Sequence, residues 1–167
     1  MGTEFANGLH IRPITTADDA QMAALVQANL KANGLDIPGT AYFDPQLAHL
    51  SRFYAEKPAQ RAYWVAADDA GTVLGGAGLA EFDGLESCAE MQKLYLTDAA
   101  KGHGLGTKLV RLVEDGARAL GYRRLYLETH TNLIAACRMY EKLGFSVIDR
   151  PAGVQHGTMN RFYLKEL

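Results

Sequence analysis

The sequence predicts one α/β domain, a mixed and mostly antiparallel sheet of about seven strands with helices on both faces. Three observations carry this expectation. The 167 residues suit a single domain, since two halves of that length would each bury too little core to stand alone. Apolar residues alternate at period two in several short runs and recur at period 3.6 in others. The stretch from Glu90 to Leu127 holds strand, helix and strand in the length a parallel crossover needs, whereas the runs before it are joined by tight turns.

Residues 9–14 read as a strand, and Thr16 with Asp19 three positions on suggests a capping box. Met22, Leu25, Val26 and Leu30 then fall at helical spacing, with Gly34 as a stop. Pro38 and Gly39 mark residues 35–44 as a loop. From Pro45, the positions Leu47, Leu50, Phe53 and Tyr54 suggest a second helix ending before Pro58. Residues 62–67 and 73–79 flank Asp68-Asp69-Ala70-Gly71, a hairpin composition, and residues 87–96 form a third consecutive strand. After Gly104 the period changes, and Leu105, Leu109, Leu112, Val113 and Leu120 share one helical face before Gly121. A strand at 125–129, a helix at 133–143 closed by Gly144, and strands at 145–148 and 161–164 complete the chain. The whole of 1–167 is one domain, with residues 1–7 expected to be disordered or vector-derived.

Composition excludes several functions. With 48% hydrophobic and 22% charged residues and a net charge of -2, the chain has the make-up of a folded globular protein. Seventeen basic residues against 19 acidic ones supply no footprint for nucleic acid. No apolar stretch is long enough to span a bilayer, and no signal peptide is visible, so no membrane partner is expected. Cys88 and Cys137 match no metal or disulfide spacing, and His10, His49, His130 and His156 are scattered, which points to a cytoplasmic protein without a metal.

The informative segment is Lys101-Gly102-His103-Gly104-Leu105-Gly106-Thr107. Its alternate glycines let the backbone turn sharply and approach a ligand, and the following helix points free N–H groups and its positive dipole end at the turn. This is an anion cradle, to which Lys101 and Lys108 add charge. The dinucleotide fingerprint fails because one residue, not two, separates the second and third glycines, and the triphosphate loop fails because Gly106-Thr107-Lys108 is not Gly-Lys-Ser/Thr. The alternative is a strand-to-helix turn with no ligand.

Lys101-x-x-Gly104-x-Gly106 resembles the pyrophosphate-binding signature of the GNAT acyltransferase superfamily, with Lys where Arg or Gln is more usual. Starting 26 residues after Gly106, the segment from Asn132 through Ala135 and Tyr140 to Gly144-Phe145 is similar to that superfamily's second motif. The predicted element order also fits the GNAT fold. The resemblance implies acetyl-CoA as co-substrate, held by the backbone of Leu94, Tyr95 and Leu96 along its pantetheine arm and by Lys101, Gly102, His103, Gly104, Leu105, Gly106 and Thr107 at its pyrophosphate. It gives Asn132 a hydrogen bond to the arm or the adjoining loop, although Asn before a helix is also an ordinary N-cap. It makes Tyr140 the acid that protonates the departing thiolate, against the alternative of a core tyrosine.

The amine acceptor must lose a proton before it attacks. Glu90, on the strand leading to the turn, is the first candidate base and Glu128 the second, with a water chain to solvent as the alternative. The expected activity is N-acetylation of a primary amine by direct attack in a ternary complex. A small-molecule acceptor is preferred, because residues 35–45 and the second helix, with Asp36, Tyr42, Phe43, Asp44 and Tyr54, suggest a closed lid. The rivals are a silent CoA-binding regulatory module and an acetyltransferase for protein N-termini or lysines. Nothing in the sequence speaks against a homodimer.

Overall fold

A computed structural model describes residues 3–5 and 8–167. Its eight strands are β1 (Thr3–Phe5), β2 (Leu9–Pro13), β3 (Ala62–Ala67), β4 (Val73–Glu81), β5 (Cys88–Leu96), β6 (Arg124–Thr129), β7 (Ser146–Ile148) and β8 (Arg161–Glu166). They form one sheet in the order β1-β2-β3-β4-β5-β6-β8-β7. Every neighbouring pair is antiparallel except β5 and β6. The seven strands expected are present, and Thr3–Phe5 adds an eighth by pairing with Leu9–Ile11. Residues 1, 2, 6 and 7, on which the expectation of a disordered or vector-derived start also fell, lie outside the described residues.

Helices α1 (Asp19–Ala32) and α2 (Leu50–Ala55) cover one face of the sheet. Met22, Val26 and Leu30 of α1 and Leu50 and Tyr54 of α2 meet Tyr63, Val65 and Ala80 in one buried cluster. The capping box sits one residue earlier than expected. The Asp18 carboxylate accepts from the Thr15 amide at 2.8 Å and hydroxyl at 3.1 Å, so a 3-10 turn precedes α1. Asp19 instead reaches across to α2, where its carboxylate accepts from the Ser51 amide and hydroxyl at 2.8 and 2.7 Å. The second helix is likewise shorter than its pattern suggested, opening with a 3-10 turn at Leu47–His49.

Helices α3 (Leu105–Ala119) and α4 (Ile134–Lys142) lie on the opposite face. Leu105, Leu109, Val110, Val113 and Ala117 form the buried stripe of α3, facing Ala77, Leu79 and Met91 of the sheet. Burying each Leu or Val contributes about 1.5–3 kcal/mol, enough to fix the roll of α3 and so the direction of its N-terminus. Gly116 permits the close approach, because a Cβ there would sit 2.5 Å from the Trp64 ring. Beyond its end, Gly121 at φ +90° and the bond from Tyr122 N–H to the Ala117 carbonyl at 3.0 Å close the helix.

Candidate active site

β5 and β6 are paired only from Cys88↔Arg124 to Glu90↔Tyr126, and past Glu90 they part. The cause lies on the other edge of β5. Between Gly76↔Tyr95 and Gly78↔Gln92 the ladder to β4 sets two residues of β5 against one of β4. This bulge bends the strand away from β6. Lys93 holds the bend at φ +50°, and the buried Tyr63 hydroxyl donates to its carbonyl at 2.7 Å. Tyr63 can lie there because Gly76 and Gly78 face it, where a Cβ would come within 2.8 and 2.3 Å of its ring.

A cavity of about 430 Å³ opens between the parted strands, with Leu94, Tyr95 and Leu96 on one wall and Leu127, Glu128 and Thr129 on the other. The free edge of β5 offers backbone amides and carbonyls to any ligand that enters. Asn29 of α1 braces this edge, its side-chain amide donating to the Leu96 carbonyl at 3.0 Å.

The glycine turn closes one end of the cavity. Gly102 and Gly104 adopt φ +79° and +76°, and Gly104 caps α3. The first helical bond runs from Lys108 N–H to the Gly104 carbonyl at 3.2 Å, so the N–H groups of Leu105, Gly106 and Thr107 have no intrahelical acceptor. A Cβ on Gly102 or Gly104 would meet nothing within 4 Å, which leaves open space before the helix end. Gly106 is more closely surrounded, its Cβ position lying a tight 3.1 Å from the Met139 sulfur of α4. Lys101, Gly102, Gly104, Leu105, Gly106 and Thr107 line the cavity, and Lys101 also pairs with Asp98 at 2.9 Å. His103 is exposed in the same turn but is not part of the cavity wall.

Tyr140 closes the other side. It is buried, it lines the cavity, and its hydroxyl has no hydrogen-bond partner among the described residues. Burial raises its ionisation above the ordinary phenol range, so it keeps its proton at any working pH. Asn132 does not line the cavity. It precedes α4 without capping it, and its side-chain amide donates to the Asn33 carbonyl at 3.0 Å, tying the start of α4 to the end of α1.

A second, smaller cavity of about 50 Å³ adjoins the first and shares Met91, Lys93, Tyr95 and Glu128 with it. Glu90 lines it, with one carboxylate oxygen accepting from Gln92 at 2.9 Å. Burial, then the charge of Glu128, push the Glu90 carboxyl up to about 7, against a smaller opposing pull from the Gln92 hydrogen bond. Glu128 differs, since its two oxygens are bound to the His156 ring at 2.9 Å and the Tyr126 hydroxyl at 2.9 Å. His156 bonds Asp44 with its other nitrogen at 2.7 Å, and Asp44 takes the Lys93 ammonium at 2.7 Å. Burial pulls His156 down, but its hydrogen bonds to Asp44 and Glu128 outweigh that and carry it up to about 9.

His156 and Lys93 had no place in the site expected from sequence, and no spacing could have supplied one. Of the expected lid, Asp44 turns inward and Tyr54 donates to Gln92 at 2.7 Å, while Asp36 and Phe43 face solvent. None of the helices among the described residues is long and apolar enough to cross a membrane.

Comparison with known proteins agrees with this geometry. Residues 31–145, more than half of the chain, match the family model described as Acetyltransferase (GNAT) family. The chain is 37% identical over 145 residues to the uncharacterized N-acetyltransferase YjgM of Escherichia coli, covering 86% of this chain and 85% of that protein. It is 27% identical over 142 residues to an L-methionine sulfoximine/L-methionine sulfone acetyltransferase of Pseudomonas paraeruginosa, covering 73% and 82% of the two chains. Among solved structures, yncA of Salmonella typhimurium, described as a putative acetyltransferase with its cofactor acetyl-CoA, superposes with a TM-score of 0.72. That match has 23% identity and covers 95% and 94% of the two chains.

Proposed function

Because the chain belongs to the acetyltransferase (GNAT) family, we propose that it acetylates a small primary amine by direct attack within a ternary complex. One observation carries this reading. The two cavities meet at a shared wall, with the unpartnered Tyr140 hydroxyl in the larger and the Glu90 carboxyl in the smaller. On this reading the acid lines one cavity and the base the other, and the acyl group would be exchanged at the wall they share.

The residues present fit acetyl-CoA as co-substrate, since the glycine turn leaves open space before unbonded helix N–H groups and the parted strands leave a free edge. Lys101, Gly102, Gly104, Leu105, Gly106 and Thr107 would hold its pyrophosphate, with His103 beside them. The backbone of Leu94, Tyr95 and Leu96 would hold the pantetheine arm, and Asn132 would fix the cavity mouth through Asn33. Acetyl-CoA supplies an activated thioester. Glu90 takes the proton from the acceptor ammonium, and a carboxylate of pKa about 7 is well matched to that task at neutral pH. The amine nitrogen would then form the amide bond as the carbon–sulfur bond breaks, Tyr140 would give its proton to the sulfur, and the second proton shed by the nitrogen would return to the phenol through solvent. Glu128 has both oxygens engaged and serves as an anchor instead.

The size of the smaller cavity favours a slender amine over a peptide, and the sulfoximine acetyltransferase among the relatives acts on a small molecule by name. A panel of primary amines, including L-methionine sulfone, polyamines and lysine peptides, assayed by release of free CoA thiol, tests the proposal. Turnover with a small amine and none with peptides is expected. Turnover with peptides alone would overturn the acceptor class, and binding of CoA without turnover on any amine would favour a regulatory module.

A further inference from the structure

Three segments far apart in sequence converge on the smaller cavity through one ring. Asp44 comes from the loop between α1 and α2, Glu128 from β6, and His156 from the loop between β7 and β8. Asp44 and Glu128 side chains are 10% and 5% exposed, and the imidazole between them is 21% exposed. With both carboxyl groups ionised, contacts of 2.7 and 2.9 Å to the two ring nitrogens put a proton on each nitrogen, since a neutral ring offers one donor. The two loops also clasp each other directly, with Thr158 donating from its hydroxyl to the Pro38 carbonyl at 2.7 Å and from its amide to the Gly39 carbonyl at 3.1 Å.

We propose that His156 is a positioning residue for acyl transfer: as an imidazolium it ties Asp44 to the lining of the acceptor cavity and occupies Glu128, leaving Glu90 as the carboxylate free to accept a proton. The proposal rests on the acetyltransferase reading but concerns a residue outside the acid and base assigned above. The charged and titratable groups around Glu90 are few. They are Glu128 and Tyr126 from β6, Lys93 and the buried Cys88 thiol from its own strand, Tyr54 of α2 acting through Gln92, His156, and Asp44 of the α1–α2 loop behind Lys93 and His156. Lys93 and His156 are the two cations in this set, and Lys93 is committed to Asp44. Without the ring, the charge of Glu128 would act on Glu90 with less opposition and push the Glu90 carboxyl higher. Its positive charge therefore keeps Glu90 titrating near neutrality.

The test needs no acceptor, so it fails or succeeds independently of the amine panel. In protein carrying ¹⁵N-histidine, both ring nitrogens of His156 should be protonated at pH 7.5, and a neutral ring there overturns the proposal. In His156→Gln, carboxyl ¹³C shifts should show Glu90 taking up its proton about one pH unit higher than in the wild type. Hydrogen exchange at the Tyr42 and Asp44 amides, which are bonded within this loop, should accelerate by about tenfold if the lost tie is of the order of one charged hydrogen bond. His156→Arg, a permanent cation with donors for both carboxylates, should restore both readouts. Faster exchange with an unmoved titration would reduce His156 to a structural tie and overturn the proposal, as would no change in either. CoA affinity by calorimetry checks folding, because His156 does not line the larger cavity. Should His156→Gln lose CoA binding as well, the wild-type ring and the Arg variant decide.

Discussion

The amide of Phe145 donates to the carbonyl of Tyr140 at 3.1 Å, and the rings of the same two residues meet edge to face with centroids 5.9 Å apart. The bond is the six-to-one closure of a helix whose chain then reverses at Gly144, φ +91°. The Gly-Phe ending of the second motif thus has a physical purpose, which is to seat the proposed acid. A Cβ on Gly144 would make only ordinary contact, 3.6 Å from Lys165, so the cost of Gly144→Ala is conformational. It should destabilise the protein by about 1–2 kcal/mol. The midpoint of thermal unfolding should drop by about 2–8 °C. Turnover should fall more than CoA affinity, because Tyr140 shifts while the glycine turn does not.

Tyr140→Phe removes the hydroxyl and keeps the ring contacts to Phe145 and Tyr163. The hydroxyl has no partner to orphan, so stability should change little. Steady-state kinetics should show kcat lowered by about 10²-fold or more, with the CoA dissociation constant nearly unchanged. Weaker CoA binding with normal turnover at saturation would make Tyr140 a binding residue.

Glu90→Gln keeps the Gln92 contact within reach and removes the acceptor of the proton. In the wild type, kcat/KM should rise with pH through about 7, where the buried carboxyl ionises. The variant should lose this limb and about 10²-fold in rate at neutral pH, recovering as pH rises and more amine arrives deprotonated. Stability gives a second signature. A carboxyl raised on folding supports the native state most fully below its unfolded value and loses that contribution as pH climbs through about 7. Denaturant titrations of Glu90→Gln should lack that decline.

Gly104→Val tests the cradle. The position has open space but φ +76°, so a β-branched residue is strained without touching the protein, at about 1–2 kcal/mol. Its methyl groups would project into the open space before the helix N–H groups, where the proposed function puts the pyrophosphate. Calorimetry should find CoA affinity reduced by at least about tenfold, the value of one good hydrogen bond to a charged group. Unchanged affinity would remove the pyrophosphate from this turn.

The elements of this site that were legible in the sequence are those made by neighbours along the chain. Gly102 to Thr107 announced a helix start, Gly121 and Gly144 announced helix ends, and alternation located the seven strands, because turns and faces follow from local spacing. What escaped was made by distance. Asp44 and His156 are 112 positions apart, and the residues between them carry no period that would bring one to the other. The bulge escaped for a related reason. A lysine at positive φ has no sequence sign, and Lys93 holds that conformation because Tyr63, Gly76 and Gly78 over-determine it from a neighbouring strand. Even the capping box moved by one residue, since Thr15-Asp18 and Thr16-Asp19 are equally good locally. Distant partners distinguish them, since Arg12 donates to both oxygens of Asp18 and Ser51 engages Asp19.

The parting of β5 and β6 past Glu90 has a cost that appears only over a full catalytic cycle. A ligand that docks along the free edge of β5 acts as a temporary ninth strand, and the portion that does so is common to substrate and product. On the proposed reading, the spent carrier would leave holding nearly every backbone contact with which it arrived, and only the acyl group would have changed. Residence time and throughput are set against each other in this architecture. Free CoA should compete with acetyl-CoA at comparable affinity, and the speed of the enzyme should be governed by how readily the seam lets go.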